Sequence, residues 1–125
     1  MSPRLGAHMS VAGGLPRAVE RAVLHGCDTL QIFSKNASQW RGRDPAAGEI
    51  REFRDHVHAA RLAPVVSHAS YLINLASTDT ALRQRSIDAM ADEVGRAEAL
   101  GLLGVVLHPG CHTQGGKAEG LTLVA

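Results

Sequence analysis

Aromatic side chains are scarce in this chain, which has one Trp, one Tyr and two Phe among its 125 residues. A core built from it must therefore be aliphatic, formed mainly by Ala, Val, Leu and Ile. No apolar run approaches the ~20 residues that a membrane-spanning helix needs, and the N-terminus lacks the apolar segment of a signal peptide. These absences argue against a membrane or secreted protein and predict a cytoplasmic one.

Cysteine is also sparse, and the usual metal motifs are missing. Cys27 and Cys111 are far apart in the sequence and form no CxxC pair, so free thiols are expected in a reducing compartment. The chain has neither a DxH nor an HExxH pattern. Any metal site must therefore combine residues that are distant in the sequence.

Charge is small overall, at +1, but it is unevenly distributed. Residues 1–43 carry six basic and two acidic side chains, a net +4, whereas the rest carries seven basic and ten acidic side chains, a net −3. A basic first third is compatible with a polyanionic partner. Scattered solvated charge explains the same numbers equally well.

Short apolar runs alternate with longer amphipathic stretches along the chain. The pattern predicts four strands and three helices in strict alternation, which indicates a parallel sheet, either an open doubly wound sheet or part of a (β/α)8 barrel. The predicted strands are 5–8, 29–33, 64–68 and 104–108, the predicted helices are 15–24, 46–61 and 78–100, and 121–125 is interpreted as the first turn of a fourth helix.

A complete barrel needs about 250 residues, so residues 1–125 are expected to form a single incomplete domain, the N-terminal half of a TIM barrel. The uninterrupted apolar strands predict a sheet buried on both faces. Half a barrel, however, would leave two open edges and one uncovered sheet face.

Three histidines stand at the carboxyl ends of predicted strands. His8, His68 and His108 follow the first, third and fourth strand, and such ends converge at the mouth of a parallel barrel, where active sites lie. One histidine in such a place is usually structural, but three with the same placement favour a function. Imidazoles on neighbouring strands suit a zinc ion, although two ligands are too few for a catalytic site. His112, in a predicted loop, is a weaker candidate.

The predicted loops after these strands suggest a nucleic-acid surface. The segment 9–14, with its Gly13-Gly14 pair, could approach a phosphate at a helix N-terminus or could simply be flexible. The segment 34–43 has three cations, amide side chains and Trp40, which suits nucleic acid unless the indole only packs beneath the loop. In the segment 69–75 an exposed Tyr71-Leu72 pair could wedge into a base stack, unless it folds into the core.

Taken together, four blocks resemble the endonuclease IV family. They are Leu5-Gly-Ala-His-Met-Ser-Val-Ala-Gly-Gly14, Phe33-Ser-Lys-Asn-Ala-Ser-Gln-Trp40, Ser67-His-Ala-Ser-Tyr-Leu-Ile-Asn-Leu75 and Leu107-His-Pro-Gly-Cys-His112. The resemblance implies a xylose isomerase-like TIM barrel with three zinc ions that hydrolyses the phosphodiester 5′ to abasic sites in double-stranded DNA. It also implies a protein that is usually monomeric.

The same resemblance implies roles for particular residues. It makes His68 and His108 ligands of one zinc ion, completed by a Glu further along the chain, so that this chain holds at most one partial zinc site. It places Tyr71, Leu72 and Gln39 against DNA, and His8 and Asn36 near the site without ligating metal. Because no carboxylate ligand of the family matches a residue here, the 125-residue chain alone is expected to be inactive.

Two positions depart from the family pattern. Ser38 stands where the family often has an Arg that would contact DNA, and Ala69 replaces an Asp that commonly follows the first ligand His. Two other functions remain open: a metal-dependent sugar isomerase or epimerase on the same barrel, and a non-catalytic DNA-binding fragment.

Overall fold

A computed structural model describes residues 2–125 and contains one four-stranded sheet with helices packed on one of its faces. The elements, in chain order, are β1 (Gly6–His8), α1 (Leu15–Leu24), β2 (Thr29–Phe33), α2 (Ala47–Ala59), β3 (Val65–His68), α3 (Thr80–Leu100), β4 (Val105–Val106) and α4 (Lys117–Val124). The predicted alternation is confirmed, and α4 is longer than the single turn expected from the sequence.

All four strands are parallel, in the order β1-β2-β3-β4. Phe33 pairs with His68, and His68 pairs with Val106. Neighbours in the chain are thus neighbours in the sheet, as in successive βα units of a barrel. Among the described residues the sheet does not close on itself, which is the partial barrel that the sequence predicts.

One face of the sheet is covered by helices and forms the main core. Leu30 and Ile32 of β2 are buried against α1 and α2, and Phe53 of α2 is fully buried among the aliphatic side chains. The remaining members of this cluster are Leu15, Ala18, Val19, Ala22, Leu62, Val65 and Leu100. An aliphatic core was expected, and Phe53 is its single large aromatic member.

The opposite face is not covered, so the expectation of burial on both faces is wrong for this chain. Gln31 and Phe33, which alternate with the buried residues of β2, are only half-buried, and all three residues of β1 are exposed. The other sequence-based expectation, that half a barrel leaves one sheet face uncovered, describes the observed arrangement.

The buried stripe of α3 differs from its apolar residues. Ile87 and Val94 are apolar but 37% and 50% exposed, whereas Glu93 and Arg96 are 1% and 5% exposed. Groups of the neighbouring loops hydrogen-bond to these two charged side chains, which are therefore buried on the same side of α3 as Ala89, Ala97 and Leu100. Val23 of α1 is likewise apolar but exposed.

Candidate functional site

The carboxyl ends of the four strands gather the candidate histidines on one side of the sheet. His8 is in register with Gln31, Phe33 with His68, and His68 with Val106, two residues before His108. Because side chains alternate between faces along a strand, these positions all lie on the uncovered face. The sheet register therefore brings His8, His68 and His108 to one edge, as the sequence predicts.

Five rings form a contiguous cluster at this edge, which we call the ring cluster: His8, Phe33, His68, Tyr71 and His108. The ring centroids of His68 and His108 are 5.1 Å apart. Tyr71 lies 5.4 Å from His68 and 6.0 Å from His108. Phe33 separates His8 from the other two histidines, at 4.4 Å from His8 and 5.6 Å from His68.

His68 has a fixed ring orientation and a defined tautomer. Its Nδ1 lies 2.8 Å from the carbonyl oxygen of Ala69, which only accepts, so Nδ1–H is the donor. The neutral ring then has its free lone pair on Nε2, which is the usual arrangement of a ligating histidine. Ala69 thus contributes a backbone acceptor at the position where the sequence lacks a carboxylate.

The pair fits two ligands of one zinc ion but not a complete site. Zn–N bonds of about 2.0–2.1 Å place the centroids of two ligating imidazoles roughly 5 Å apart, which matches the distance between His68 and His108. Within residues 2–125, no three His, Cys, Asp or Glu side chains lie close enough together to hold an ion. His112 is exposed and does not join the pair in such a group.

His8 is held by a side chain of the neighbouring strand. The Nε2 amide of Gln31 donates to its Nδ1 at 2.9 Å, which leaves the proton of the neutral ring on Nε2. Partial burial, and secondarily the nearby His68, lower the pKa of His8 below its usual value of 6.5. His8 is therefore a neutral hydrogen-bonding group at neutral pH.

The β3 loop, residues 69–79, contains both exposed and buried residues. Tyr71 is 64% exposed, Leu72 is half-buried, and Ala69 and Ile73 are buried in a second hydrophobic cluster. The alternative that the whole segment folds into the core is therefore wrong for Tyr71. The apolar residues around it serve as the anchor that presents its ring.

The β2 loop, residues 34–46, differs from the expected set of free cations. Lys35 is only 8% exposed, and Arg43 pairs with Glu49, while Arg41 is exposed. Asn36 accepts from the Ser38 amide at 2.9 Å and so shapes the turn, leaving Gln39 exposed at its tip.

Trp40, at the end of this turn, is half-buried. It lies against the second hydrophobic cluster, with the guanidinium of Arg85 4.5 Å from its ring centroid. Trp40 therefore packs in part against the interior, which is one of the two alternatives drawn from the sequence, and also faces an open groove. An open groove of about 1020 Å³ between this loop and α3 is lined by Gln39 and Trp40 and by no histidine.

The loop after β1 is pinned by a side chain of α1. Gly13 and Gly14 have φ of +90° and +120°, conformations that favour glycine. Arg21 donates to the carbonyls of Ser10 at 2.7 Å and Ala12 at 2.9 Å. The glycines therefore serve a turn whose carbonyl groups are hydrogen-bonded to Arg21.

Three residues that organise the site were missed by sequence reasoning. Glu93 of α3 accepts a hydrogen bond from the β2 loop, and Arg96 of α3 donates hydrogen bonds to the same loop. Asn74 joins the β3 loop to the β4 loop, residues 107–116. Glu93 and Arg96 have the same three-to-four-residue spacing as the buried Ser86, Ala89 and Leu100. That mixed polar and small stripe is the signal that an apolar template overlooks.

The fold and the site define the class of protein. The family model described as xylose isomerase-like TIM barrel matches residues 19–125, and the chain belongs to this family. The strand order and the placement of the histidines at the carboxyl ends of the strands agree with it.

Within that family the chain resembles endonuclease IV. It is 44% identical over 117 residues to a protein of Geobacter sp. (strain M21) called probable endonuclease 4, covering 94% of this chain and 41% of that protein. The crystal structure of endonuclease IV from Thermus thermophilus matches with a TM-score of 0.83 and 38% identity, covering 98% of this chain and 46% of that one. The chain thus spans less than half the length of these relatives.

A sugar epimerase shares the fold. The 3-keto-D-glucoside 4-epimerase of E. coli superposes with a TM-score of 0.69 over 98% of this chain and 48% of its own, at 12% identity. At that identity the likeness shows a common fold alone.

Among residues 2–125, no helix has the length and apolar composition needed to cross a bilayer.

Proposed function

We propose that this chain is the DNA-facing first part of a zinc-dependent endonuclease of base excision repair, which hydrolyses the phosphodiester 5′ to abasic sites in double-stranded DNA. The observation that carries the proposal is the pair of imidazoles at 5.1 Å beside an exposed tyrosine. The similarity to proteins named endonuclease 4 supports the reaction class. Both cysteines are free, which fits a cytoplasmic protein.

In this proposal His68 and His108 hold one zinc ion through ring nitrogens. When bound, zinc lowers the pKa of an attacking water and neutralises charge on the phosphate. The hydrogen bond from Nδ1 of His68 to the carbonyl of Ala69 holds the ring with Nε2 free for the ion. Residues 1–125 are half of a barrel domain, and ligands from outside this sequence complete the three-zinc centre.

Tyr71 and Gln39 contact the DNA from two loops. The exposed ring of Tyr71 lies 5.4 Å from His68 and 6.0 Å from His108, so a duplex that reaches the two histidines also comes within reach of this ring. Insertion of Tyr71 with Leu72 at the lesion bends the duplex at a point where one base no longer stacks, which lowers the cost of distortion. Asn36 and His8 shape the surroundings, and the enzyme acts as a monomer.

Zinc titration of the purified chain tests whether His68 and His108 bind a zinc ion. Competition with a chromophoric chelator is expected to show one weak site, lost in His68→Ala and in His108→Ala. His58→Ala is the matched control, because His58 is exposed on α2. Retention of zinc by both site variants would remove the basis of the proposal.

DNA binding tests the substrate. Fluorescence anisotropy is expected to show tighter binding to an abasic duplex than to an intact one, with Tyr71→Ala weakening the former about tenfold, a magnitude typical of stacking contacts. Leu103→Ala, 77% exposed outside the three loops, is the control. A preference for a hexose over both duplexes would instead support the epimerase alternative.

An incision assay tests whether residues 1–125 suffice for catalysis or need further metal ligands. Because two histidines are too few ligands for a catalytic centre, the purified chain is expected to leave an abasic duplex uncut with zinc present. EDTA-sensitive incision by this chain would contradict the claim that further ligands are needed. Binding of abasic DNA without any zinc affinity would indicate a non-catalytic DNA-binding fragment.

A further inference from the structure

A buried carboxylate on α3 contacts both loops that carry the candidate DNA residues. Glu93 is 1% exposed. Its Oε2 accepts from the hydroxyl of Ser34 at 2.9 Å, and its Oε1 accepts from the backbone N–H of Ser70 at 3.0 Å. One side chain therefore joins the first residue of the β2 loop to the second residue of the β3 loop.

Lys35 completes this arrangement from the β2 loop. Its ammonium lies 3.6 Å from Oε1 of Glu93 and donates to the carbonyls of Gln39 at 3.3 Å and Trp40 at 2.9 Å. Both charged side chains of the pair are at most 2% exposed. The pair fixes the backbone at Gln39, next to the exposed amide side chain.

The two loops also bond directly to each other at one carbonyl. The hydroxyl of Ser70 donates to the carbonyl of Ala37 at 2.7 Å, and the backbone N–H of Tyr71 donates to the same oxygen at 3.2 Å. Tyr71 and Gln39 therefore each lie within two residues of a contact that depends on the position of the other loop.

Stability alone does not account for this pair. Removing two charges from water costs free energy that the attraction between them only partly returns, and an apolar pair of similar size is often no less stable. A buried pair hydrogen-bonded to two separate loops instead selects one relative position of those loops. Gly42 shows how closely the β2 loop packs around Lys35, since a Cβ at Gly42 would lie 2.7 Å from Cβ of Lys35.

We propose that Lys35 and Glu93 are positioning residues that hold the Gln39 and Tyr71 loops at a fixed separation, so that both engage abasic DNA as one rigid unit. This inference rests on the proposed function for its ligand. Neither residue touches DNA, since both are buried. Their effect is the coupling between two exposed contacts.

Hydrogen exchange of the full chain without DNA tests the positioning role. Glu93→Gln keeps the side-chain shape and removes the charge, which leaves Lys35 buried without its partner. Exchange at the amides of Gln39 and Tyr71 is expected to rise together by about tenfold or more, and Lys35→Met is expected to do the same. Glu98→Gln, the same change at an exposed position of α3, is the matched control and should leave both amides unchanged.

The double variant K35M/E93Q tests whether the single variants act only by unfolding the protein. It removes both charges together, so the fold is expected to recover while the ion pair stays absent. Unchanged exchange at either amide in folded E93Q and K35M would overturn the proposal, whatever the chain does with DNA.

A double-mutant cycle on an abasic duplex measures the coupling itself. In the wild-type background, the affinity loss of Q39A with Y71A is expected to differ at least threefold from the product of the single losses. In K35M/E93Q the losses are expected to multiply simply. Equal coupling in both backgrounds would overturn the proposal.

The proposed function fails separately from this inference. If the wild-type chain bound abasic and intact duplexes equally, the proposed substrate would be wrong. The exchange measurement would still decide whether the two loops move as one unit.

Discussion

The carboxamide of Asn74 is bonded to both backbone groups of Cys111. Its Nδ2 donates to the carbonyl of Cys111 at 3.0 Å, and its Oδ1 accepts from the N–H of the same residue at 3.0 Å. A backbone bond from Leu75 to the carbonyl of Pro109, at 2.8 Å, lies beside it. The loop that follows His68 thereby holds the loop that contains His108.

Loss of this contact is expected to weaken metal binding without removing a ligand. Asn74→Ala deletes both bonds and frees the backbone after His108, so we expect zinc affinity to fall about tenfold or more, as for other groups that orient ligands. Asn74→Asp keeps the acceptor and loses the donor, and should have a smaller effect. Chelator competition measures both variants, and equal affinity of Asn74→Ala and wild type would contradict this assignment.

A glycine in the same loop is expected to be irreplaceable. Gly110 has φ of +126°, and a Cβ there would lie 2.0 Å from Oδ1 of Asn74. We expect Gly110→Ala to destabilise the fold by about 1–3 kcal/mol through backbone strain, measured by urea unfolding. Gly95→Ala is the control: its Cβ meets nothing within 4 Å and it lies within α3, so a gain of roughly 0.5–1 kcal/mol is expected. Similar effects from both changes would refute the close approach.

The first turn of α3 depends on one side chain. Oδ1 of Asp79 accepts from the amides of Ala81 at 3.0 Å and Leu82 at 3.1 Å. Asp79→Ala is expected to cost about 1 kcal/mol of unfolding free energy, whereas Asp79→Ser, which can also cap, should cost much less. Thermal unfolding of the two variants compares them, and equal losses would show that the cap is not the cause.

The lowered pKa of His8 gives a pH dependence with a definite sign. Partial burial, with a smaller contribution from His68, disfavours the protonated ring in the folded chain, so the folded pKa lies below the unfolded one. Stability is therefore expected to fall as the pH decreases from neutral through these two pKa values, because the unfolded chain binds the proton more readily. NMR titration of the His8 ring against that of the exposed His58 measures the difference, and a His8 pKa above the usual value would disprove it.

Apolar periodicity predicted the elements that touch the main core. α1 and β2 have the boundaries expected from the sequence, because their apolar residues follow helical and strand spacing. β4 is only Val105–Val106 instead of five residues, since it pairs with β3 on one side alone. α4 begins at Lys117, four residues before its apolar segment, after Gly116 at φ of +83°.

Sequence reasoning predicted the exposed residues of the candidate site but missed the buried residues that support them. Strand-end placement was enough to bring His68 and His108 to one edge. No sequence pattern indicated that Lys35 would be buried, because its partner Glu93 is 58 residues away along the chain and on the polar side of a helix. Long-range pairing of charges leaves no periodic trace in the sequence.

The three loops are bonded in series to one another and to α3, and this limits how the scaffold can be re-engineered. A β3 loop grafted from another barrel would arrive without the Ser70 hydroxyl that bonds to Ala37 or the Asn74 carboxamide that clamps Cys111. Transfer of the three loops to another barrel therefore requires the whole segment from Ser34 to Cys111, including α3, which carries Glu93.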